Sequence, residues 1–424
     1  MKYRPHRQPC RKSGNGHIKL KARFLAALLI AGVLGNPLAR AADKYLLLNY
    51  APDGFTTRVS SATIIHYVAD KFGAANRTSS LKAGVACIYF PGARWTDIPR
   101  ELALLQKDLA MARESQIPIL VQVDTETYLP ASLLNWYDPN LPGYDPAKTA
   151  DVEWHGWDRS TAIKLCWRNW GSPFRIGPAP NFLSARFQAY EKGIYYAFVP
   201  VVLEWYNNLP AEKKWLFVGW KCGWESAYNG NYRFFSNGNA YYGSTINPAW
   251  SNHYEPLGYN AAKTSGIRTS GTLTENDYAR LVGMHLTYLA KLAIDAGVPK
   301  SKISVHGTYY HTVQEDEESL TNPFSNPGSS FYPSSSVCWA SNTALFREAV
   351  HTAEAKYGAT GYGYGEFNLF TSDYKAWLSW FKARLHDDPD CLYQALYNYD
   401  SMYGRPDVER ALLDAMAQCP AAAQ

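Results

Sequence analysis

Beyond its first 41 residues this chain has no excess of positive charge, no long apolar stretch and no cysteine pair at metal-binding spacing. Nine of its 42 Lys and Arg residues lie within positions 1–41, and none of its 37 Asp and Glu residues do. The remainder therefore sets 33 basic side chains against 37 acidic ones. A net-acidic body argues against a nucleic-acid partner, which a basic face would mark. Cys87, Cys166, Cys222, Cys338, Cys391 and Cys419 show no C-x-x-C spacing, so no structural zinc site is expected. Neither H-x-H nor H-E-x-x-H occurs, and no metal is assigned. A G-x-S-x-G elbow, a P-loop and a G-x-G-x-x-G opening a helix are also missing, which removes the common serine-hydrolase, nucleotide and dinucleotide readings and leaves no cofactor.

The leader has its own order. Lys2, Arg4, Arg7, Arg11, Lys12, Lys19, Lys21 and Arg23 precede an apolar run from Phe24 to Gly35, and Ala39-Arg40-Ala41 follows. Basic, apolar, then small is the pattern of a secretory signal. The run is shorter than the roughly 20 residues a bilayer requires. The expected division is a signal peptide at 1–41 and one catalytic domain at 42–424, secreted or periplasmic, with no membrane association after cleavage. Export permits disulfides, but a domain of this size has no need of them. Cys87, Cys222, Cys338 and Cys391 read as small buried hydrophobes, and Cys166 with another loop cysteine as the better candidate for a bridge.

Eight short apolar runs read as buried strands: Tyr45–Tyr50, Val85–Phe90, Ile117–Asp124, Trp215–Lys221, Ile303–His306, Ser336–Ala340, Gly361–Phe367 and Cys391–Asn398. Their interiors are continuous rather than alternating, which suits parallel strands covered on both faces. Helical patterns separate them at Ile98–Glu114, Phe182–Asn208, Glu275–Ala296, Asn342–Lys356, Asp373–Leu385 and Asp407–Ala417. The alternation predicts an α/β fold, a (β/α)8 TIM barrel, with a doubly wound open sheet as the competing arrangement. Three insertions, 125–181, 222–271 and 307–335, follow the carboxyl ends of the third, fourth and fifth strands. In a barrel those long βα loops lie on the carboxyl-terminal face, where active sites are built.

Two of the strand ends carry a lone acid after a glycine- and aromatic-rich run. One reads Val218-Gly219-Trp220-Lys221-Cys222-Gly223-Trp224-Glu225 and the other Gly361-Tyr362-Gly363-Tyr364-Gly365-Glu366. Aromatic neighbours lower local polarity and raise a carboxyl pKa, which favours a proton donor. Cleavage of a glycosidic bond needs two such carboxyls flanking it. Glu at strand four and Glu at strand seven resembles the layout of the retaining (β/α)8-barrel glycoside hydrolases called clan A. The resemblance implies acid/base for Glu225 and nucleophile for Glu366. The chain departs from that clan at one position, where Trp224 stands in place of the usual Asn.

Asp124 and Glu126, two apart at the end of the third strand, point the same way if that strand stays extended. They are assigned to substrate binding, together with Trp220, Lys221, Trp224, His306, Trp339, Asn368 and Asn398. The insertions are rich in aromatic residues, among them Trp136, Tyr137, Tyr144, Trp154, Trp157, Tyr228 and Tyr259, interleaved with Asn and Gly. Flat amphipathic rings suit the apolar faces of sugars, and they also serve to staple long loops. A carbohydrate substrate is therefore expected. The competing readings are a non-catalytic carbohydrate-binding barrel, and an inverting or metal-dependent hydrolase using Asp124 and Glu126.

Overall fold

The protein is represented by a computed structural model. It describes residues 43–52, 59–93, 97–169, 173–226, 228, 232–233, 256–307, 333–334, 362–369 and 371–421. The strands are β1 (Lys44–Tyr50), β2 (Leu81–Tyr89), β3 (Ile119–Val123), β4 (Cys166–Asn169), β5 (Pro173–Ile176), β6 (Phe217–Ser226), β7 (Tyr232–Arg233), β8 (Ile303–Gly307), β9 (Pro333–Ser334), β10 (Tyr362–Phe367) and β11 (Cys391–Leu396). Eight of them form one sheet in the order β10-β11-β1-β2-β3-β6-β8-β9, and every pairing in it is parallel. Its two ends, β9 and β10, lie side by side without a shared ladder, so the barrel is nearly closed. The order follows the chain around a circle without reversing. A doubly wound sheet would reverse at a switch point, so that alternative is set aside.

Sequence explains the layers directly. All nine residues of β2 and all five of β3 are buried, as continuous apolar runs between two covered faces require. The main helices are α1 (Ser61–Thr78), α2 (Ile98–Ser115), the single turn α3 (Ala131–Leu134), α4 (Ala185–Asn207), α5 (Tyr259–Ser265), α6 (Glu275–Asp295), α7 (Tyr374–Phe381) and α8 (Pro406–Ala417). Local side chains set several of their starts. Ser60, Asp97 and Ser184 each accept a hydrogen bond from the backbone three residues on, and Thr274 with Asp277 forms a capping box. In α1, Ile64, Ile65, Val68 and Phe72 give one buried stripe against the sheet.

Three expectations need adjusting. The fourth barrel strand starts later and runs longer than Trp215–Lys221. Trp215 lies in a 3-10 turn, and β6 continues to Ser226, so Glu225 is inside the strand rather than beyond it. The sixth strand is seen at Pro333–Ser334; Ser336–Ala340, Cys338 and the helix at 342–356 lie outside the described residues. Cys166 is buried in β4 rather than placed in a loop, and Cys87, Cys222 and Cys391 are fully buried, as small hydrophobes are.

The insertions after the third and fourth barrel strands are joined. β5, β4 and β7 form a small antiparallel sheet, with Trp167 opposite Arg233. Side chains add to the join: Asn260 donates to the Ala150 and Val152 carbonyls at 2.9 and 2.7 Å, and the Trp157 indole donates to the Gly271 carbonyl at 2.7 Å. Trp154, Tyr228 and Tyr259 are buried here, while Tyr137 and Tyr144 are exposed. Trp154, Tyr228 and Tyr259 therefore serve as glue between the loops. Among the described residues no helix is long and apolar enough to cross a membrane.

Candidate active site

The barrel interior changes character along its axis. Towards the amino ends of the strands it is filled by Tyr45, Leu47, Ala86, Leu120, Tyr393 and Ala395. A Cβ on Gly363 would fall 2.3 Å from the Tyr393 ring, so this strand needs glycine there. Towards the carboxyl ends the inward positions become polar: Asn49, Gln122, Lys221 and His306, all buried. Buried polar groups need partners, and several of these find one across the barrel. Gln122 Nε2 lies 3.1 Å from His306 Nδ1 and donates to the Gly223 carbonyl at 2.5 Å. Lys221 Nζ donates to the Gly365 carbonyl at 3.3 Å. That last bond reaches from the fourth barrel strand to the seventh, one peptide short of Glu366.

Glu225 and Glu366 are each the penultimate residue of a strand, β6 and β10. Both fall where the ladder loses register. Cys222 pairs with Val305 and Ser226 with Gly307, so β6 spends four residues where β8 spends two. Tyr364 pairs with Gln394 and Phe367 with Leu396, three residues against two. Such extra residues break the strict alternation of a strand and re-aim side chains, and they recur beside active sites. The side chains of Glu225 and Glu366, and all of Trp339, lie outside the described residues.

The remaining predicted positions separate. Trp220 is fully buried, and its ring meets Tyr195 of α4 edge-on at 5.3 Å. It belongs to the layer between sheet and helices and is not part of the cleft, a correction to its substrate-binding assignment. Lys221, the next residue, faces inward. Asp124 and Glu126 do not share a face, because β3 ends at Val123 and the chain turns. Asp124 Oδ1 accepts from the backbone N–H of Glu126 and of Thr127, at 2.8 and 3.0 Å, and so organises that turn. Glu126 is fully buried against α6, with Oε1 accepting from the Ser226 hydroxyl at 2.5 Å and lying 3.0 Å from His285 Nε2. Its expected role as a sugar ligand is replaced by one inside the wall. Trp224 is 4% exposed and packs with Ala51, Ile88, Phe90 and Ala93, its ring 4.8 Å from that of Phe90. Asn368 donates to the Tyr397 carbonyl and the Ser401 hydroxyl at 2.9 and 2.7 Å, tying the loops after the last two strands together. Asn398 is half-buried in the same loop.

Sequence reading missed Glu191 and His285, both fully buried. Glu191 sits on the apolar stripe of α4 between Phe187 and Ile194, and an acid on such a stripe is the signal that was there to find. Burial first, then the negative charge of Glu126, holds the Glu191 carboxyl well above the usual range. Glu153, in the first insertion, is pushed up to about 8 by burial. Among the described residues no group of three or more His, Cys, Asp or Glu is arranged to hold a metal ion; His311 lies outside them.

No family model matches the chain, and no curated protein matches it in sequence. Solved structures that resemble it include several glycoside hydrolases. A GH5_18 protein of Bifidobacterium longum subsp. longum is 12% identical, with a TM-score of 0.47 over 90% of this chain and 81% of that one. A β-galactosidase of the psychrophilic Marinomonas ef1 is 11% identical, with a TM-score of 0.44 over 87% of this chain, which spans only 58% of that enzyme's length. A morphinone reductase mutant is 12% identical with a TM-score of 0.41 over 89% of this chain and 87% of the other. Fold alone does not carry function. The barrel is read from the strand order, and activity has to be argued from the site.

Proposed function

We propose that the chain is a glycoside hydrolase that cleaves an oligo- or polysaccharide with two carboxylates, Glu225 as proton donor and base and Glu366 as nucleophile. The observation that carries this reading is positional. Both residues stand at the carboxyl ends of barrel strands, the fourth and the seventh, each inside a register break, and Lys221 reaches from one strand to the other. The surroundings argue for different roles. Lys221 brings an ammonium within one peptide of Glu366, and a nearby cation favours the ionised carboxylate that a nucleophile requires. Glu225 closes an aromatic-rich run, Trp220 to Trp224, in the sequence, and its place on the fourth strand is the one the clan A resemblance gives to the proton donor. Retention of anomeric configuration is part of the proposal, as is export by the leader at 1–41; sequencing the amino terminus of the secreted protein should find Ala42 first.

The test is digestion of a glycan library, with the anomer of the first product read by NMR. Glu225→Gln and Glu366→Gln should each lower turnover by about 10²–10⁴-fold while the fold persists. Near-normal turnover in either variant removes that residue from the mechanism. Glycan binding without any product would favour a non-catalytic carbohydrate-binding barrel. An inverted product would exclude Glu366 as a nucleophile, and with it the carboxyl separation of about 5–5.5 Å that retention demands.

A further inference from the structure

Behind the strand that carries Glu225 lies a closed polar cluster that the proposed chemistry does not use. It joins the turn after β3, the end of β6, and helices α4 and α6. Ser226 donates its hydroxyl to Glu126 Oε1 at 2.5 Å, and His285 Nε2 is 3.0 Å from the same oxygen and 3.7 Å from Glu191 Oε1. Thr125 donates to Glu191 Oε1 at 3.0 Å. His285 Nε2 faces the carboxylates, while Nδ1 has no hydrogen-bond partner. Phe182 stacks on the His285 ring at 4.2 Å and 13°, and the Tyr228 ring lies 4.8 Å from that of Phe182. Glu126, Glu191, His285, Ser226 and Thr125 are all fully buried.

Through the Ser226 side chain the cluster holds the residue that follows Glu225. On the other side, the Gly223 carbonyl accepts from Gln122 Nε2 at 2.5 Å, and Gln122 is in turn 3.1 Å from His306 Nδ1. The segment between these two points is the stretch in which β6 has two residues more than β8. A bulged segment loses regular ladder bonds, so its backbone needs anchors from elsewhere. The fit at its start is close. Gly223 has φ +73°, and a Cβ there would lie 2.6 Å from Ser226 Oγ, 2.8 Å from Leu286 Cδ2 and 3.1 Å from Glu126 Oε1. Any side chain at position 223 would therefore intrude on the Ser226–Glu126 bond.

We propose that Glu126, held by His285, and Gln122 are positioning residues that clamp the two ends of the bulge and thereby set where Glu225 stands. This rests on the reading of Glu225 as the proton donor. A cluster that served stability alone would be indifferent to turnover at temperatures far below unfolding. A clamp is not, because a displacement of about 1 Å at a reacting group costs about 10²-fold in rate.

The experiment compares Ser226→Ala, Glu126→Ala and Glu126→Gln in the full chain. Gln keeps the shape of Glu126 and an oxygen able to accept from Ser226, so it should rescue. On the polysaccharide that the wild type digests fastest, Ser226→Ala and Glu126→Ala should lower kcat by about 10²-fold with KM nearly unchanged. They should also shift the basic limb of the pH profile, while Glu126→Gln stays near wild type on both counts. Hydrogen–deuterium exchange over 217–228 needs no substrate and should quicken in the two Ala variants only. Unchanged kcat and unchanged exchange in Ser226→Ala overturns the clamp, and so does an equal loss in Glu126→Gln and Glu126→Ala. Glu225→Gln separates the two claims. If it retains turnover, the functional reading has failed; if it is dead while Ser226→Ala is untouched, only the clamp has.

Discussion

Replacing Glu153 by Gln should reverse the order of stability of wild type and variant between pH 5 and pH 9. The Glu153 carboxyl is fully buried, and neither of its oxygens is in hydrogen-bond geometry with a partner. The Tyr228 hydroxyl and the backbone of Ala261, Trp154 and Asn260 draw its pKa down, but desolvation is the larger influence and the carboxyl ends at about 8. In the unfolded chain it titrates near 4.5. The folded pKa is the higher one, so between these values the folded state keeps a proton that the unfolded state has released. Stability is then complete below about pH 4.5 and declines as pH rises to about 8. At 1.36 kcal/mol per unit over 3.5 units, the decline reaches at most about 5 kcal/mol. Gln does not titrate. It does bring an N–H₂ among groups that offer mainly donors, which costs about 1–3 kcal/mol at any pH. The variant should be the less stable protein at pH 5 and the more stable at pH 9, with crossing curves. Urea unfolding followed by tryptophan fluorescence across that range measures both. Asp108, held at about 7 by burial, titrates in both proteins and cancels in the difference. Parallel curves would refute the argument, since they mean that Glu153 is ionised in the folded state or reached by water.

Two other predictions concern residues adjacent in sequence and opposite in role. Trp220→Ala should cost about 3–5 kcal/mol in unfolding free energy, because it empties the space between β6 and Tyr195, and it should leave KM unaltered in the molecules that remain folded. A raised KM with little loss of stability would return Trp220 to the cleft. Lys221→Met removes the ammonium beside the Gly365 carbonyl, so the acidic limb of kcat/KM should move up by about 1–3 pH units and activity at pH 5 should fall more than at pH 7. An unmoved limb would show that Lys221 does not set the ionisation of the strand-seven acid.

Whatever rests on short-range chemistry was legible in the amino-acid order. Continuous apolar runs such as those of β2 and β3 specify strands covered on both faces, and capping residues such as Asp97, Ser184 and Thr274 specify where helices begin. Counting residues between strands located the insertions, and the two strand-end glutamates were visible as lone acids after apolar runs. Which face each residue shows depends on packing between distant segments. A strand alternates with period two, but its phase is set by neighbouring strands and is reset at each bulge. Composition could not tell that Trp220 would meet α4 while Lys221 turned inward, nor that Asp124 would cap a turn while Glu126 entered the wall. The meeting of Glu126, Glu191, His285 and Ser226 was equally hidden, because it depends on four segments far apart in the chain. Only packing brings such groups together, and the cost of burying them unpaired keeps them in contact.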